Sequence, residues 1–156
     1  MSLAPQTEQN RRTVARYWDE VWTKGNVSAI DDFCADDFKQ FYPLHGAISG
    51  KENVKKMLSG FRESFPNLSF TLLLPIPLIA ENDYVVARWI GGGKHTGVPC
   101  LDLPLGGLPV PNSGREMRFS GTTIFTLRDG KIVDEVGEES GLLALQQLGL
   151  LAQKKK

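Results

Sequence analysis

The chain has few of the residues that build metal, disulfide or redox sites. Its 156 residues include two cysteines and two histidines, and no group of Cys, His, Asp and Glu has the spacing of metal ligands. Cys34 and Cys100 stand far apart in the sequence, so one disulfide is conceivable, but two reduced thiols are favoured. The sequence therefore predicts no metal site.

An excess of charge of one sign is also lacking. The 18 basic and 18 acidic residues balance to a formal net charge of zero, so no global field attracts nucleic acid or an acidic membrane. No apolar run is long enough to span a bilayer, and the N-terminus lacks the apolar core of a signal peptide. We expect a cytoplasmic protein without nucleic-acid or membrane partners, and the basic run 154–156 is expected to be a solvated tail.

Nucleotide and nucleophile motifs are missing as well. The glycine run 91–93 lacks the spaced glycines and the Lys-Ser/Thr pair of a phosphate-binding loop. No motif of a nucleophilic hydrolase is present.

The sequence contains predicted helices followed by predicted strands, and its length is typical of one domain. We expect a single domain over residues 7–152 with flexible tails at 1–6 and 153–156. Apolar periodicity predicts a helix over 7–24, a short helix near 29–33 and a third helix, which a capping box of Ser49 and Glu52 opens and Pro66 ends. A last helix over 142–151 is apolar on several sides, which indicates burial against the sheet or a partner subunit.

The second half of the sequence alternates like an antiparallel sheet. The Asp129-Gly130 pair is a hairpin signal, and the predicted strands cover residues 68–74, 78–80, 84–95, 115–127 and 132–139, with a further short strand at 38–42. Three helices before a meander of long strands predict an α+β fold: a cone-shaped, curved antiparallel sheet packed on the N-terminal helices, with an interior apolar cavity. The apolar, Pro- and Gly-rich loop after His95 is expected to form the mouth of a pocket for an apolar ligand.

Strand alternation suggests which side chains share that interior. His95 has the parity of the buried face and is the natural proton carrier near neutral pH; the alternative is a surface histidine beside a loop. Glu138 could act as a base whose pKa an apolar pocket raises; the alternative is an ordinary solvated acid. Thr123 can only donate or accept a hydrogen bond.

The other histidine, His45, is expected to be exposed in a loop. The expected pocket lining is Tyr17, Phe41, Trp89, Met117, Phe119, Phe125 and Val136.

Taken in order, several short segments resemble the SnoaL-like polyketide cyclases of the nuclear-transport-factor-2-like superfamily. The most distinctive are Arg16-Tyr17-Trp18-Asp19-Glu20-Val21-Trp22 and Phe119-Ser120-Gly121-Thr122-Thr123-Ile124-Phe125. The full set of matching segments spans residues 16–26, 61–68, 85–89, 95–97, 119–125, 129–133 and 141–149.

The resemblance implies an α+β cone, often a homodimer, with a deep apolar cavity and no cofactor. In these cyclases an aspartate is the general acid/base for an intramolecular aldol closure, and Thr123 stands where that aspartate would be. His95 matches the family's histidine, whereas Gly93 replaces a polar residue. Gln40-Phe41 replaces an Asp-His pair, so that wall of the pocket should be less polar.

Three functions are compatible with these residues. The first is a cofactor-free cyclase, isomerase or dehydratase acting on a small apolar carbonyl compound, with His95 as acid/base, Glu138 as a second carboxylate and Thr123 orienting the carbonyl. The second is a module that binds a small apolar molecule without turning it over. The third is a dimerisation domain whose interior is filled by Trp89, Phe119 and Phe125.

Overall fold

The computed structural model describes residues 4–152, in which helices cover one face of a curved, open sheet. The helical elements are α1 (Pro5–Tyr17), a π-helical segment (Trp18–Thr23), a 3-10 segment (Val27–Ala29), α2 (Ile30–Phe33), α3 (Lys51–Ser64) and α4 (Gly141–Gln147). The strands are β1 (Cys34–Tyr42), β2 (Gly46–Ser49), β3 (Ser69–Leu72), β4 (Ile79–Glu81), β5 (Tyr84–Lys94), β6 (Cys100–Leu103), β7 (Gly106–Leu108), β8 (Glu116–Arg128) and β9 (Lys131–Glu139). The predicted α+β fold is confirmed.

The main sheet has the strand order β2-β1-β9-β8-β5-β3, and β4 pairs with the free part of β5. All neighbours are antiparallel except β1 and β9, which run parallel. Helix α1 contacts β4 and β5, the π-helical segment contacts β3, and α3 contacts β1. The helices therefore close the inner face of the sheet.

The first helix is longer than the pattern predicts and changes its winding. It begins at Pro5, which is favoured in a first helical turn because proline lacks the N–H that this turn leaves unused. It continues without a break into the π-helical segment, where Trp18 Nε1 and Thr23 Oγ1 both donate to Phe70 O, at 3.0 and 2.7 Å. The predicted tail 1–6 is therefore too long, whereas residues 1–3 and 153–156, with the basic run 154–156, lie outside the described residues.

Several predicted boundaries are wrong for local reasons. Helix α3 begins after Gly50, which has φ +87° and no side-chain capping bond, so the capping box of Ser49 and Glu52 does not form. Strand β1 starts at Cys34 rather than 38, and α4 ends at Gln147. Strand β2 and the small β6–β7 hairpin inside the apolar loop carry too little alternation to be predicted.

The predicted inner face of β5 and β8 is confirmed, because side chains alternate without interruption along both strands. Trp89, Phe119 and Phe125 are buried there. The helices add Trp18, whose ring stacks on those of Trp22 and Trp89 with 5.8 Å between centroids in both pairs. The core is therefore an aromatic cluster held between the helices and the sheet.

Strand β9 departs from regular alternation through one β-bulge. Leu127 pairs with Ile132 while its neighbour Thr126 pairs with Asp134, so Val133 is an extra residue on β9. Because side chains alternate with period two, one extra residue moves every later side chain to the other face. The prediction that Val136 and Glu138 face the interior is therefore wrong, and the inward residues after Ile132 are Glu135, Gly137 and Glu139.

Two glycines let aromatic rings lie flat on this inner face. A Cβ at Gly137 would come within 2.0 Å of Tyr42 Cε1, and one at Gly121 within 2.3 Å of Trp89 Cζ2. No larger residue fits under either ring. These positions therefore need glycine for close approach rather than for backbone freedom.

We expect Gly137→Ala to lower the free energy of unfolding by about 2–3 kcal/mol, since the added methyl group must displace the Tyr42 ring. Gly60→Ala is the matched control, because nothing lies within 4 Å of its Cβ position and alanine is the better helix former by about 1 kcal/mol. Urea unfolding of both variants checks this. Equal stability of Gly137→Ala and wild type would contradict the close packing of Tyr42 on β9.

Candidate functional site

A pocket opens from the aromatic core on the inner side of the sheet. It encloses about 290 Å³ including its mouth, and its closed part holds about one water. A larger ligand must therefore displace lining side chains that make no hydrogen bond, such as those of Leu44 and Phe61. The lining residues are Trp18, Trp22, Tyr42, Leu44, His45, Phe61, Phe70, Trp89, Phe119 and Glu139.

Glu139 is the carboxylate of this pocket. It ends β9, and the bulge turns it inward. Its Oε1 accepts a hydrogen bond from Leu44 N at 2.7 Å, and within residues 4–152 no hydrogen-bond partner is found for Oε2. Burial raises the pKa of Glu139 to about 7, with a smaller contribution from the charge of Glu138 and an opposing one from the Leu44 N–H. A carboxyl group with this pKa can both accept and release a proton at neutral pH.

His45 lies on the wall of the same pocket, in the turn after β1. Its N–H donates to Tyr42 O at 3.0 Å, and its ring meets that of Phe61 edge to face with 4.7 Å between centroids. Burial lowers the pKa of His45 to about 4, although Asp102 opposes the shift. The imidazole is therefore neutral at pH 7. Among the described residues its ring nitrogens have no hydrogen-bond partner, so both remain available to a ligand. The expectation of an exposed loop histidine is corrected: His45 is half-buried.

Behind the pocket walls lies a second carboxylate, Glu135, which is fully buried. Its Oε1 accepts from Trp22 Nε1 and Tyr42 OH, both at 2.7 Å. Its Oε2 accepts from Tyr17 OH at 2.5 Å and from Gln40 Nε2 at 3.2 Å. Burial raises the pKa of Glu135, while the four donors act in the opposite direction. No ion pair to Glu135 exists within residues 4–152.

Thr123 connects this carboxylate to a further pocket wall. Its Oγ1 lies 2.8 Å from Tyr42 OH and accepts from Trp89 Nε1 at 2.9 Å. Thr123 is fully buried and is not part of the pocket surface. Its hydroxyl therefore orients Tyr42 and Trp89 rather than meeting a ligand directly.

His95 is also buried, but it holds the apolar loop rather than facing the pocket. Its Nε2 lies 2.7 Å from Val98 O, which can only accept, so Nε2 carries the hydrogen. Its Nδ1 accepts from Ser113 N at 3.3 Å and lies 2.7 Å from Ser113 Oγ. Both ring nitrogens thus tie the two ends of the loop together. This geometry does not support the predicted acid/base role of His95.

The other predicted site residues separate into three groups. Trp89 and Phe119 line the pocket, whereas Tyr17, Met117 and Phe125 are buried in the core behind it. Val136 and Phe41 lie on the outer face, 46% and 37% exposed, and Glu138 is exposed beside them. The bulge explains Val136 and Glu138. Phe41 points outward because Phe38, Gln40 and Tyr42 take the inner face of β1, an alternation that the sequence already contained.

The sequence of the chain matches that of a known protein family. The sequence profile of the SnoaL-like polyketide cyclases matches residues 12–148, which is most of the chain. The chain belongs to the SnoaL-like polyketide cyclase family. No curated protein sequence matches it significantly.

Several solved structures share the fold of this chain at low sequence identity. A protein from Jannaschia sp. CCS1, described as a candidate SnoaL-like polyketide cyclase, aligns with TM-score 0.78 and 23% identity over 97% of this chain and 99% of its own. IdmH of Streptomyces antibioticus, described as a candidate polyketide cyclase, aligns with TM-score 0.70 and 20% identity over 90% and 99% of the two chains. A protein from Catenulispora acidiphila with a ketosteroid isomerase-like fold gives TM-score 0.66 and 19% identity over 99% and 100%. At these identities the likeness establishes the fold.

Residues 4–152 contain neither a metal-binding cluster nor a membrane-spanning helix. No group of three or more His, Cys, Asp or Glu side chains there could hold a metal ion. No helix in the same range is long and apolar enough to cross a bilayer.

The raised pKa of Glu139 makes folding stability depend on pH. The group binds a proton more tightly in the fold, at about pH 7, than in the unfolded chain, near 4.5. Its stabilising contribution is therefore complete below pH 4.5 and is lost as the pH rises through 7. We expect Glu139→Gln to gain stability relative to wild type between pH 5 and pH 8, by at most about 3 kcal/mol. Urea unfolding of both proteins at the two pH values measures this, and an unchanged difference would contradict it.

Proposed function

We propose that this protein is a cofactor-free cyclase or isomerase that moves protons on a small apolar carbonyl compound, with Glu139 as the general acid/base. The observation that carries the proposal is a carboxyl group with a pKa of about 7 in an aromatic pocket, with one oxygen held by a backbone N–H and the other without a protein partner. Family membership supports the reaction class. A cytoplasmic location remains a prediction from the sequence.

The proposed chemistry begins at the carbon next to the substrate carbonyl. Ionised Glu139 removes a proton from that carbon, and the electron pair of the C–H bond forms an enolate. In an isomerisation, protonated Glu139 returns the proton to another carbon. In a cyclisation, the enolate carbon attacks a second carbonyl of the same molecule, a C–C bond forms, and Glu139 protonates the new alkoxide.

His45 has the charge and position to assist this step. As a neutral imidazole it can donate one N–H to the carbonyl oxygen, where negative charge develops in the enolate. Because its pKa is about 4, the imidazole stays neutral at pH 7 and does not become a cation. The aromatic walls exclude water, which strengthens both polar contacts.

We expect the protein to exchange the α-protons of 2-tetralone, a flat aromatic ketone, for deuterium in D₂O, as followed by proton NMR. Glu139→Gln should lower the exchange rate at least about 100-fold, since the amide cannot act as a base. The rate should rise with pH through about 7 as Glu139 ionises. Glu138→Gln, one residue along and exposed, should keep most of the wild-type rate.

The same comparison decides between the candidate functions. Loss of exchange in Glu138→Gln but not in Glu139→Gln would contradict the assignment of the base. Binding of 2-tetralone without exchange would favour the second candidate, a module that binds small apolar molecules. Absence of both binding and exchange would favour the third candidate, a dimerisation domain whose interior is filled, and Trp89 and Phe119 do lie at this narrow space.

A homodimer is the second part of the proposal, and the outer face of the sheet supports it. One apolar residue from each of five strands forms a continuous row on that face, which we call the outer row. Its members pair in register: Ile79 with Val86, Val86 with Ile124, Ile124 with Val136, and Val136 with Phe41. Four of the five are between 37% and 62% exposed. So much exposed apolar surface in one row is typical of an interaction site.

The polar residues beside the outer row fit a second copy of the same face. A two-fold axis parallel to β8 would exchange β9 with β5 and β1 with β4, and Ile124 would face its own copy. That operation sets Lys39 opposite Glu81, and Glu138 opposite Arg88. Each pair has opposite charges, so the face is complementary to itself as an isologous interface requires.

We expect a dimer by sedimentation at micromolar concentration and a monomer for Ile124→Glu, which would place two carboxylates against each other on the axis. Leu101→Glu is the control, because Leu101 is 65% exposed on the β6–β7 hairpin, away from this face. The alignment that sets Lys39 opposite Glu81 is tested by charge reversal. Lys39→Glu and Glu81→Lys should each weaken the dimer, and the double variant should restore it because the charges are again opposite. A monomeric wild type, or a dimer that survives Ile124→Glu, would overturn the proposal.

A further inference from the structure

The most unusual feature of the interior is a fully buried carboxyl group without a counter-ion among residues 4–152. Glu135 is fully buried, and its four hydrogen-bond donors are all uncharged: Tyr17, Trp22, Gln40 and Tyr42. Removing a carboxylate from water costs several kcal/mol unless its oxygens are well satisfied. Hydrophobic residues of similar volume would fill this space at a lower cost in folding free energy. We therefore look for a role of the polar network in the neighbouring pocket.

The hydrogens of this network can be placed from donor chemistry alone. An indole N–H can only donate, so Trp22 donates to Glu135 and Trp89 donates to Thr123. The single hydroxyl hydrogen of Tyr42 goes to Glu135 Oε1, so the Thr123 hydroxyl must donate to Tyr42. Burial and the nearby carboxylate raise the pKa of Tyr42 well above 10, which keeps it a donor. Every hydrogen in the series Trp89, Thr123, Tyr42 thus points towards Glu135.

The same residues form three walls of the pocket. Trp22, Tyr42 and Trp89 all line it, yet each uses its polar hydrogen behind the wall. The rings of Tyr42 and Trp89 are also held on their faces by the bare backbone at Gly137 and Gly121. The third indole follows the same rule, because Trp18 Nε1 donates to Phe70 O. The pocket therefore presents ring surfaces along its walls, and its available polar groups are those of Glu139 and His45.

We propose that Glu135 is the positioning residue of the pocket: through Tyr42, Thr123 and Trp22 it turns the polar atoms of the walls away from the ligand, and so selects an apolar carbonyl compound whose single polar group lies at the Glu139 end. This deepens the proposed function and depends on it for the orientation of the carbonyl. Glu135 does not touch the ligand. The selection arises because a polar group elsewhere on the ligand would lose its water and find no partner.

The test uses binding rather than turnover, so it stays informative if the catalytic proposal fails. Calorimetric titration with 2-tetralone and with 6-hydroxy-2-tetralone should show that the wild type binds the hydroxylated compound about 10-fold more weakly, since the ring hydroxyl has no partner. Thr123→Val keeps the shape of the side chain but frees Trp89 Nε1 and one lone pair of Tyr42. We expect it to weaken 2-tetralone binding about 5- to 10-fold and to reduce the discrimination to about 2-fold.

Thr123→Ser is the matched control, because it keeps the hydroxyl and should stay within about 2-fold of wild type for both ligands. Thr123→Val should also raise KM for proton exchange while the pH midpoint near 7 stays in place, since Glu139 is unchanged. A residue that only stabilises the fold would change the melting temperature without changing the discrimination.

Glu135→Gln is the second variant, and its circular dichroism spectrum shows whether it folds. Its amide presents two hydrogens to a site built from donors, so the folded protein should lose discrimination as Thr123→Val does. The inference is overturned if the wild type does not discriminate between the two ketones, or if Thr123→Val and Thr123→Ser discriminate equally. Discrimination by a wild type that does not exchange protons would contradict the proposed function and leave this inference intact.

Discussion

The burial of Glu135 is the constraint on which the rest of the interior depends. Its four donors come from α1, the π-helical segment and β1, so its carboxylate joins the helical layer to the sheet at one point. Because an unpaired donor or a bare charge in this position would cost several kcal/mol, the network admits few alternative packings. The orientations of Trp22, Tyr42 and Trp89 follow from it, and those rings are the walls of the pocket.

The sequence predicts those parts of the fold in which alternation or helical periodicity runs without interruption. The inner face of β8, with Phe119, Thr123 and Phe125, is of this kind, and so is the apolar face of the first helix around Trp18. The family resemblance could also be recognised from the sequence, because its matching segments are spread along the chain. The acidic run near Glu138 could not be assigned to faces from its pattern. One inserted residue, Val133, decides which glutamates face inward, and a β-bulge has no distinctive signature in a stretch of mixed polarity.

The site residues show the same limit. The resemblance to the family implied site roles for His95 and Thr123, but the structure uses both as hydrogen-bonding elements behind the pocket surface. His45 had no signal of its own, since its environment is set by Phe61 on a distant helix. Tertiary contacts of this kind decide burial and therefore the pKa, and no local pattern records them.

Two carboxylates four residues apart on one face of β9 carry out different tasks because their surroundings differ. Glu135 receives four hydrogen bonds and is closed off from the pocket, so it can hold a charge but cannot exchange a proton with a ligand. Glu139 receives one hydrogen bond from Leu44 N and faces the pocket, so burial is barely compensated and its pKa rises to about 7. Separate environments for neighbouring acids are how one fold can assign them different roles, and the proposed function uses Glu139 as the proton carrier and Glu135 as a positioning group. In the proposed function, Glu139 on β9 therefore supplies the carboxyl group that β8 lacks at Thr123.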